Sequence, residues 1–323
     1  MVLAGVGGLT AFIASPEHAN AGGDRPVIAF FRSSPAGPFA HIVEAFRAGV
    51  AEEGLVEGES VDIAYHWGDN KLDRLPAMAE AIVESGAAVI VGNSLAIEAV
   101  RAHSDRVPMV FVLAEDPIAA GMVDNLASPS GNITGVTFYG GGQLAAKRAE
   151  LLMEIAPSAK RIALLLDPNY AGSDPAREGA ETLLRPLGIE IVAAEAAKPE
   201  ALEATFAGIV AAKADALLVG GSPMQTSQRK KIIAFAAAHR LPAVYDQKDY
   251  VTDGGLISYG ASFATAYRQA GVYAARIVRG AKTAELPVLR PSTYELVVNV
   301  VTGKALGIEI PNAVLLRADE VIE

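Results

Sequence analysis

From residue 27 onward, short apolar runs, several of them unbroken, alternate with longer amphipathic stretches. The runs cover residues 27–31, 87–91, 109–113, 162–166, 189–193, 216–219 and 256–259. A run without polar interruption fits a parallel strand covered on both faces. The intervening stretches at 39–53, 72–84, 142–155, 199–212 and 224–239 have helical spacing. Strand and helix in regular turn predict an α/β fold, with ligand loops at the carboxyl ends of the strands. At ~150 residues per domain, 323 residues make about two domains.

The two halves share a local pattern. The run at 88–91 leads into Gly92-Asn93-Ser94, a helical stretch and a second run at 108–111. The run at 216–219 leads into Gly220-Gly221-Ser222, a helical stretch and a run at 242–245. Serine and proline stand 14 residues apart in the first half and 20 in the second. That is too loose for a solenoid repeat and suits two similar lobes facing each other. A glycine-serine turn between strand and helix aims backbone N–H groups and a hydroxyl beyond the strand. Either turn alone reads as an ordinary helix cap; the pair points to a shared cleft.

Composition removes several functions. Thirty-seven acidic against 27 basic side chains leave a formal charge of −10, which repels phosphate backbones and excludes nucleic acid as a general partner. With no cysteine there is no disulfide, thiolate nucleophile, cysteine-ligated zinc or iron–sulfur cluster. His18, His41, His66, His103 and His239 are scattered without metal-ligand spacing, so no metal or cofactor is expected. No phosphate-loop signature occurs. Gly220-Gly221-Ser222-Pro223-Met224 begins like a nucleophile elbow but ends on methionine, and Ser227-Gln228-Arg229-Lys230 lacks the companions of an S-x-x-K enzyme. No catalytic residue is assigned.

Residues 1–14 are uncharged and mostly apolar, and Ala19-Asn20-Ala21 fits an A-x-A cleavage site. Residues 1–25 are expected to form a leader cleaved near Ala21, leaving an exported, periplasmic chain.

Polar groups gather just after the predicted strands: Arg32, Ser33 and Ser34; Asn93 and Ser94; Glu115; Asp167 and Tyr170; Ser222; Asp246 and Gln247. Phe31, Tyr170, Tyr245 and Tyr259 accompany them. Apolar walls with a few convergent polar groups are what a small-molecule cleft requires. Each polar residue also has a plain structural reading as the cap of the next helix.

Segments spread over nearly the whole chain carry a resemblance. They include Glu53-Gly54-Leu55-Val56-Glu57-Gly58, Asp73-Arg74-Leu75-Pro76, Pro129-Ser130-Gly131-Asn132-Ile133-Thr134-Gly135-Val136, Gly254-Gly255-Leu256-Ile257-Ser258-Tyr259-Gly260 and Arg317-Ala318-Asp319-Glu320-Val321-Ile322. In these the sequence resembles substrate-binding proteins of ABC transporters with the type I periplasmic binding fold, the group that includes tryptophan- and tyrosine-type binders. The resemblance implies two Rossmann-like lobes with parallel sheets joined by three crossings, near Gly135, Gly260 and Pro291. One lobe would hold residues 26–135 plus 261–290, the other 136–260 plus 291–323. It also implies a monomer that closes by hinge motion over an amino acid or aromatic amino-acid-like ligand, then docks on an inner-membrane ABC permease. Carried over by position, Ser94 and the helix it opens, with Asn93 beside it, would receive a carboxylate, and Asp246 or Glu115 an ammonium. Ser34 and Ser222 would add hydrogen bonds, and Phe31, Tyr170 and Tyr259 would form walls. Arg32 departs from this pattern. Two other readings stay open: a secreted α/β hydrolase, and a ligand-sensing domain that presents its closed form to a signalling partner.

Overall fold

The computed structural model describes residues 25–138, 140–291 and 293–323. The expected leader therefore lies outside the described residues, apart from Arg25.

Among the described residues the strands form two sheets. The first contains β1 (Val27–Arg32), β2 (Asp62–Trp67), β3 (Val89–Asn93), β4 (Met109–Leu113) and β5 (Ile133–Thr137), in the order β2-β1-β3-β4-β5, all parallel. The second contains β6 (Arg161–Leu166), β7 (Glu190–Glu195), β8 (Ala216–Val219), β9 (Ala243–Tyr245), β10 (Ile257–Gly260), β11 (Glu295–Asn299) and β12 (Glu320–Ile322), in the order β12-β11-β10-β9-β8-β6-β7. The central strands β3, β4 and β8 are buried along their whole length, which is why they read as unbroken apolar runs.

The second sheet is mixed, because β11 runs antiparallel to β10, with Gly260 opposite Glu295. The cause is the path of the chain. After β10 it leaves for the first sheet, where the helix Phe263–Val278 packs on the helix Ala40–Glu52. It returns through Leu289, whose N–H donates to the Gly135 carbonyl at 3.0 Å. Re-entry occurs at the end of the sheet where it left, so the next strand must point the other way.

The helices bury apolar faces at the expected period. Ile42, Phe46, Gly49 and Val50 form the buried face of Ala40–Glu52. They meet Tyr267, Ala270 and Gly271 so closely that a Cβ at Gly49 would stand 1.9 Å from the Arg268 carbonyl oxygen. The stretch expected as one helix over 224–239 is two helices, Pro223–Ser227 and Arg229–Ala238, interrupted at Gln228. Arg229 opens the second, its Nε donating to Asp253 Oδ2 at 2.7 Å. No helix among the described residues is long and apolar enough to cross a membrane.

Candidate ligand-binding site

Residues at or just past the carboxyl ends of β1, β3 and β4 face residues just past β6, β8 and β9 across two adjoining cavities. Ala114, Phe138, Tyr170, Gly221 and Phe263 border both, so the cavities are two parts of one cleft between the sheets. This is the position at which parallel α/β sheets bind ligands. Phe138 and Phe263 follow β5 and β10, and their ring centroids are 4.6 Å apart.

The smaller cavity unites the two glycine-serine turns. Ser94 and Ser222 both border it, with Asn93. Ser94 opens the helix Ser94–Arg101. Ser222 caps Pro223–Ser227, its Oγ accepting from the Gln225 N–H at 3.1 Å. Asn93 spends its amide on the loop after β1: Oδ1 accepts from the Ser33 N–H at 3.0 Å and Nδ2 donates to Ser33 Oγ at 2.9 Å.

The larger cavity holds opposite charges. Asp246 borders it, buried, with Oδ1 lacking any hydrogen-bond partner. Burial pushes this carboxyl up to about 7, against the pull of the Arg148 guanidinium. Arg148 reaches the same cavity from the helix Gly141–Ile155, and its Nε donates to the Tyr259 carbonyl at 2.8 Å. Burial pulls the Arg148 guanidinium down from its ordinary range, and Asp246 opposes that shift.

Tyr170 borders both cavities and donates its hydroxyl proton to Glu115 Oε2 at 3.0 Å. Glu115 lies buried behind the cleft wall and also accepts from the Ala114 N–H at 3.1 Å. Burial pushes its carboxyl up, offset in part by the hydroxyls of Ser94 and Tyr170. Further contacts tie the two halves together across the cleft. Asn70 Nδ2 donates to Ser227 Oγ at 2.9 Å, Arg229 Nη1 donates to the Pro38 carbonyl at 3.0 Å, and His41 Nε2 stands 2.9 Å from Asp249 Oδ2.

Four of the expected site residues border neither cavity: Glu115, which lies behind the wall, and Phe31, Ser34 and Tyr259. Phe31 points into the apolar layer of Leu75, Ile90 and Phe111, on the opposite side of β1 from Phe30. Successive strand residues face opposite ways, and with both faces of β1 covered each phenylalanine is core. Ser34 is fully buried and accepts from Arg32 Nε at 3.1 Å, so it holds that side chain in place. Tyr259 contributes its carbonyl to Arg148, while its ring packs at 6.0 Å from Tyr294. Among the described residues no histidine borders either cavity, and the Ser222 hydroxyl is engaged as a helix cap.

Residues 28–322 match the family described as ABC transporter substrate binding protein. The chain belongs to that family. This substrate-binding protein is 22% identical over 282 residues to a tyrosine-binding protein of Clostridioides difficile (strain R20291), covering 86% of this chain and 80% of the relative. Its fold is similar to that of a conserved domain protein from Vibrio cholerae, with a TM-score of 0.84 and 24% identity, covering 92% of this chain and 100% of the other. It is similar as well to an ABC domain from Streptococcus pneumonia solved in complex with L-Trp. There the TM-score is 0.83, the identity 24%, and the coverage 93% of this chain and 100% of that one. Members of the family bind solutes, and this chain is the small-molecule receptor of an ABC importer.

Sequence reasoning left Arg148, Phe138 and Phe263 out of the receptor's cleft. Arg148 stands in an ordinary amphipathic helical pattern, and no local signal turns it inward. The two phenylalanines could have been found, because each follows directly on a segment expected to cross between lobes.

Proposed function

We propose that this receptor binds an amino acid, or a compound resembling an aromatic amino acid, in the cleft and closes over it by hinge motion. The lobes are residues 26–135 plus 261–290 and 136–260 plus 291–323, with crossings near Gly135, Gly260 and Pro291. The ligand carboxylate sits at Ser94 and the start of its helix, where the positive end of the helix dipole favours an anion. The ligand ammonium sits at Asp246, and Tyr170 forms a wall. The observation that carries this reading is buried Asp246, whose Oδ1 has no hydrogen-bond partner and which borders a cavity adjoining the one bordered by Ser94. A buried acceptor without a donor is costly, and an ammonium supplies one. Relatives named for tyrosine and crystallised with tryptophan support the ligand class.

A thermal-shift screen over amino acids tests the reading, since a ligand that binds only the folded state raises Tm. Calorimetric titration of Asp246→Ala and Ser94→Ala with the best hit follows. Each is expected to weaken binding by about 10- to 150-fold, the equivalent of one charge-assisted hydrogen bond. Unchanged affinity in both folded variants would move the polar anchors elsewhere. The receptor works as a periplasmic monomer after removal of the leader near Ala21. Intact-mass measurement on a periplasmic extract tests the processing, and an unprocessed cytoplasmic chain would contradict it.

A further inference from the structure

Arg32 ends β1 with 2% of its surface exposed. Its guanidinium lies over the Phe39 ring at 4.2 Å and over the Tyr267 ring at 5.1 Å. Nε donates to Ser34 Oγ, and Nη1 donates to the Tyr267 hydroxyl. Among the described residues no carboxylate forms an ion pair with it, and Nη2 donates no hydrogen bond. The acid whose charge it feels, Asp249, stands 2.9 Å from His41 Nε2 and forms no ion pair with Arg32.

Burying a charge is strongly unfavourable unless a counter-ion and hydrogen bonds offset the lost hydration. The two aromatic faces and two hydroxyls supply part of that compensation. Among the described residues no carboxylate supplies the rest. Arg32 borders the smaller cavity, and so do Asn93 and Ser94, where the helix Ser94–Arg101 begins. A guanidinium and the positive end of a helix thus converge on one small space. The planar fork of arginine suits a carboxylate, which can accept two parallel hydrogen bonds from it.

We propose that Arg32 is the anion-recognition residue of the cleft. Its free Nη2 edge and the start of the helix Ser94–Arg101 together bind a carboxylate of the solute, so the receptor selects carboxylic acids over neutral sugars and simple amines. The inference rests on the receptor reading above and adds the charge of the solute to it. The competing role is structural, with Arg32 only a cation packed between two rings to hold β1 against the helix Phe263–Val278.

The test is calorimetry and thermal shift on the full chain with a matched set of probes. L-tryptophan and L-tyrosine are zwitterions, indole-3-propionate and 3-(4-hydroxyphenyl)propionate keep only the carboxylate, tryptamine and tyramine keep only the amine, and D-ribose and myo-inositol are neutral. At least one carboxylate is expected to bind, and its decarboxylated partner at least about tenfold more weakly. Arg32→Gln is expected to reduce carboxylate affinity by about 10- to 150-fold, one charge-assisted hydrogen bond's worth. Arg32→Lys keeps the charge without the fork and is expected to fall between the two. Whether the acid must also be an amino acid is read from the propionates. A folded Arg32→Gln that binds carboxylates as the wild type does would overturn the proposal. So would an amine as the best ligand, which would leave an aromatic amino-acid-like solute standing, or a sugar, which would overturn the proposed ligand class as well and leave only the small-molecule receptor role. Should Arg32→Gln fail to fold, unchanged carboxylate affinity in Arg32→Lys overturns it instead. If no probe of any charge binds the wild type, both readings fall together.

Discussion

The Tyr170 hydroxyl donates to Glu115 Oε2 at 3.0 Å and so joins the loop after β6 to the loop after β4. Both side chains are buried, and burial pushes the acid dissociation of each upward. The phenol therefore keeps its proton and serves as the donor. Tyr170 thus borders the cleft and bonds across it.

Removing that bond loosens closure. Tyr170→Phe deletes a hydrogen bond worth about 1 kcal/mol and leaves the ring in place. On the proposed hinge closure the loss falls on the closed form, and apparent affinity is expected to drop about fivefold. Calorimetric titration reads the affinity, and X-ray scattering reads the larger radius of gyration. Wild-type values in both would take Tyr170 out of closure.

The raised carboxyl of Asp246 makes stability depend on pH. Folded, it titrates near 7; in the unfolded chain a carboxyl of this type titrates at about 4. The folded protein holds this proton more tightly, so its contribution to stability is full below about pH 4, declines as pH rises to about 7, and is lost above that. Asp246→Asn removes the penalty of a buried charge. Its Tm is expected to exceed that of the wild type at pH 8 and to match it at pH 4. The same variant is expected to lose affinity for an ammonium ligand. A Tm difference of the same size at both pH values would contradict the titration.

Gly221 gives Asp246 its room. A Cβ at this position would lie 2.3 Å from Asp246 Oδ2 and 3.0 Å from its Cγ. Gly221→Ala must displace the carboxylate, with an overpacking cost of about 1–3 kcal/mol and at least about tenfold weaker binding of an ammonium ligand. Gly37→Ala is the control, since no atom lies within 4 Å of its added methyl. Denaturant unfolding and titration of the two variants side by side make the comparison, and equal behaviour would refute it.

Gly49 and Gly271 let two helices touch backbone to backbone. Added Cβ atoms would stand 1.9 Å from the Arg268 carbonyl oxygen and 2.2 Å from that of Phe46. Each alanine variant is expected to destabilise the protein by about 1–3 kcal/mol. The double variant is expected to lose less than the sum, because one separation of the helices relieves both clashes. Denaturant midpoints measure this, and strict additivity would mean that the two contacts yield independently.

The alternation of apolar runs and amphipathic stretches was sufficient for the α/β class, since strands such as β4 and β8, buried on both faces, leave a continuous apolar signature. The turns ending in Ser94 and Ser222 were legible too, because the strand-to-helix chemistry there is local. Edge strand β2 was not clear in the same way, because most of it is only part-buried and polar residues break its run, whereas β7 at the edge of the other sheet was legible at 189–193 although Glu190 interrupts it. The direction of β11 was also hidden, for it depends on where the chain re-enters the second sheet. The cleft divides along the same line. Phe30 and Phe31 are the same residue type in one strand, and only the helices packed on each face decide that both are core. Arg148 meets Asp246, and Phe138 meets Phe263, across roughly a hundred residues of chain or more. A single sequence carries local periodicity and turn chemistry; which side chains share a cavity follows from the pairing of distant strands and the approach of two lobes, and no local pattern encodes that.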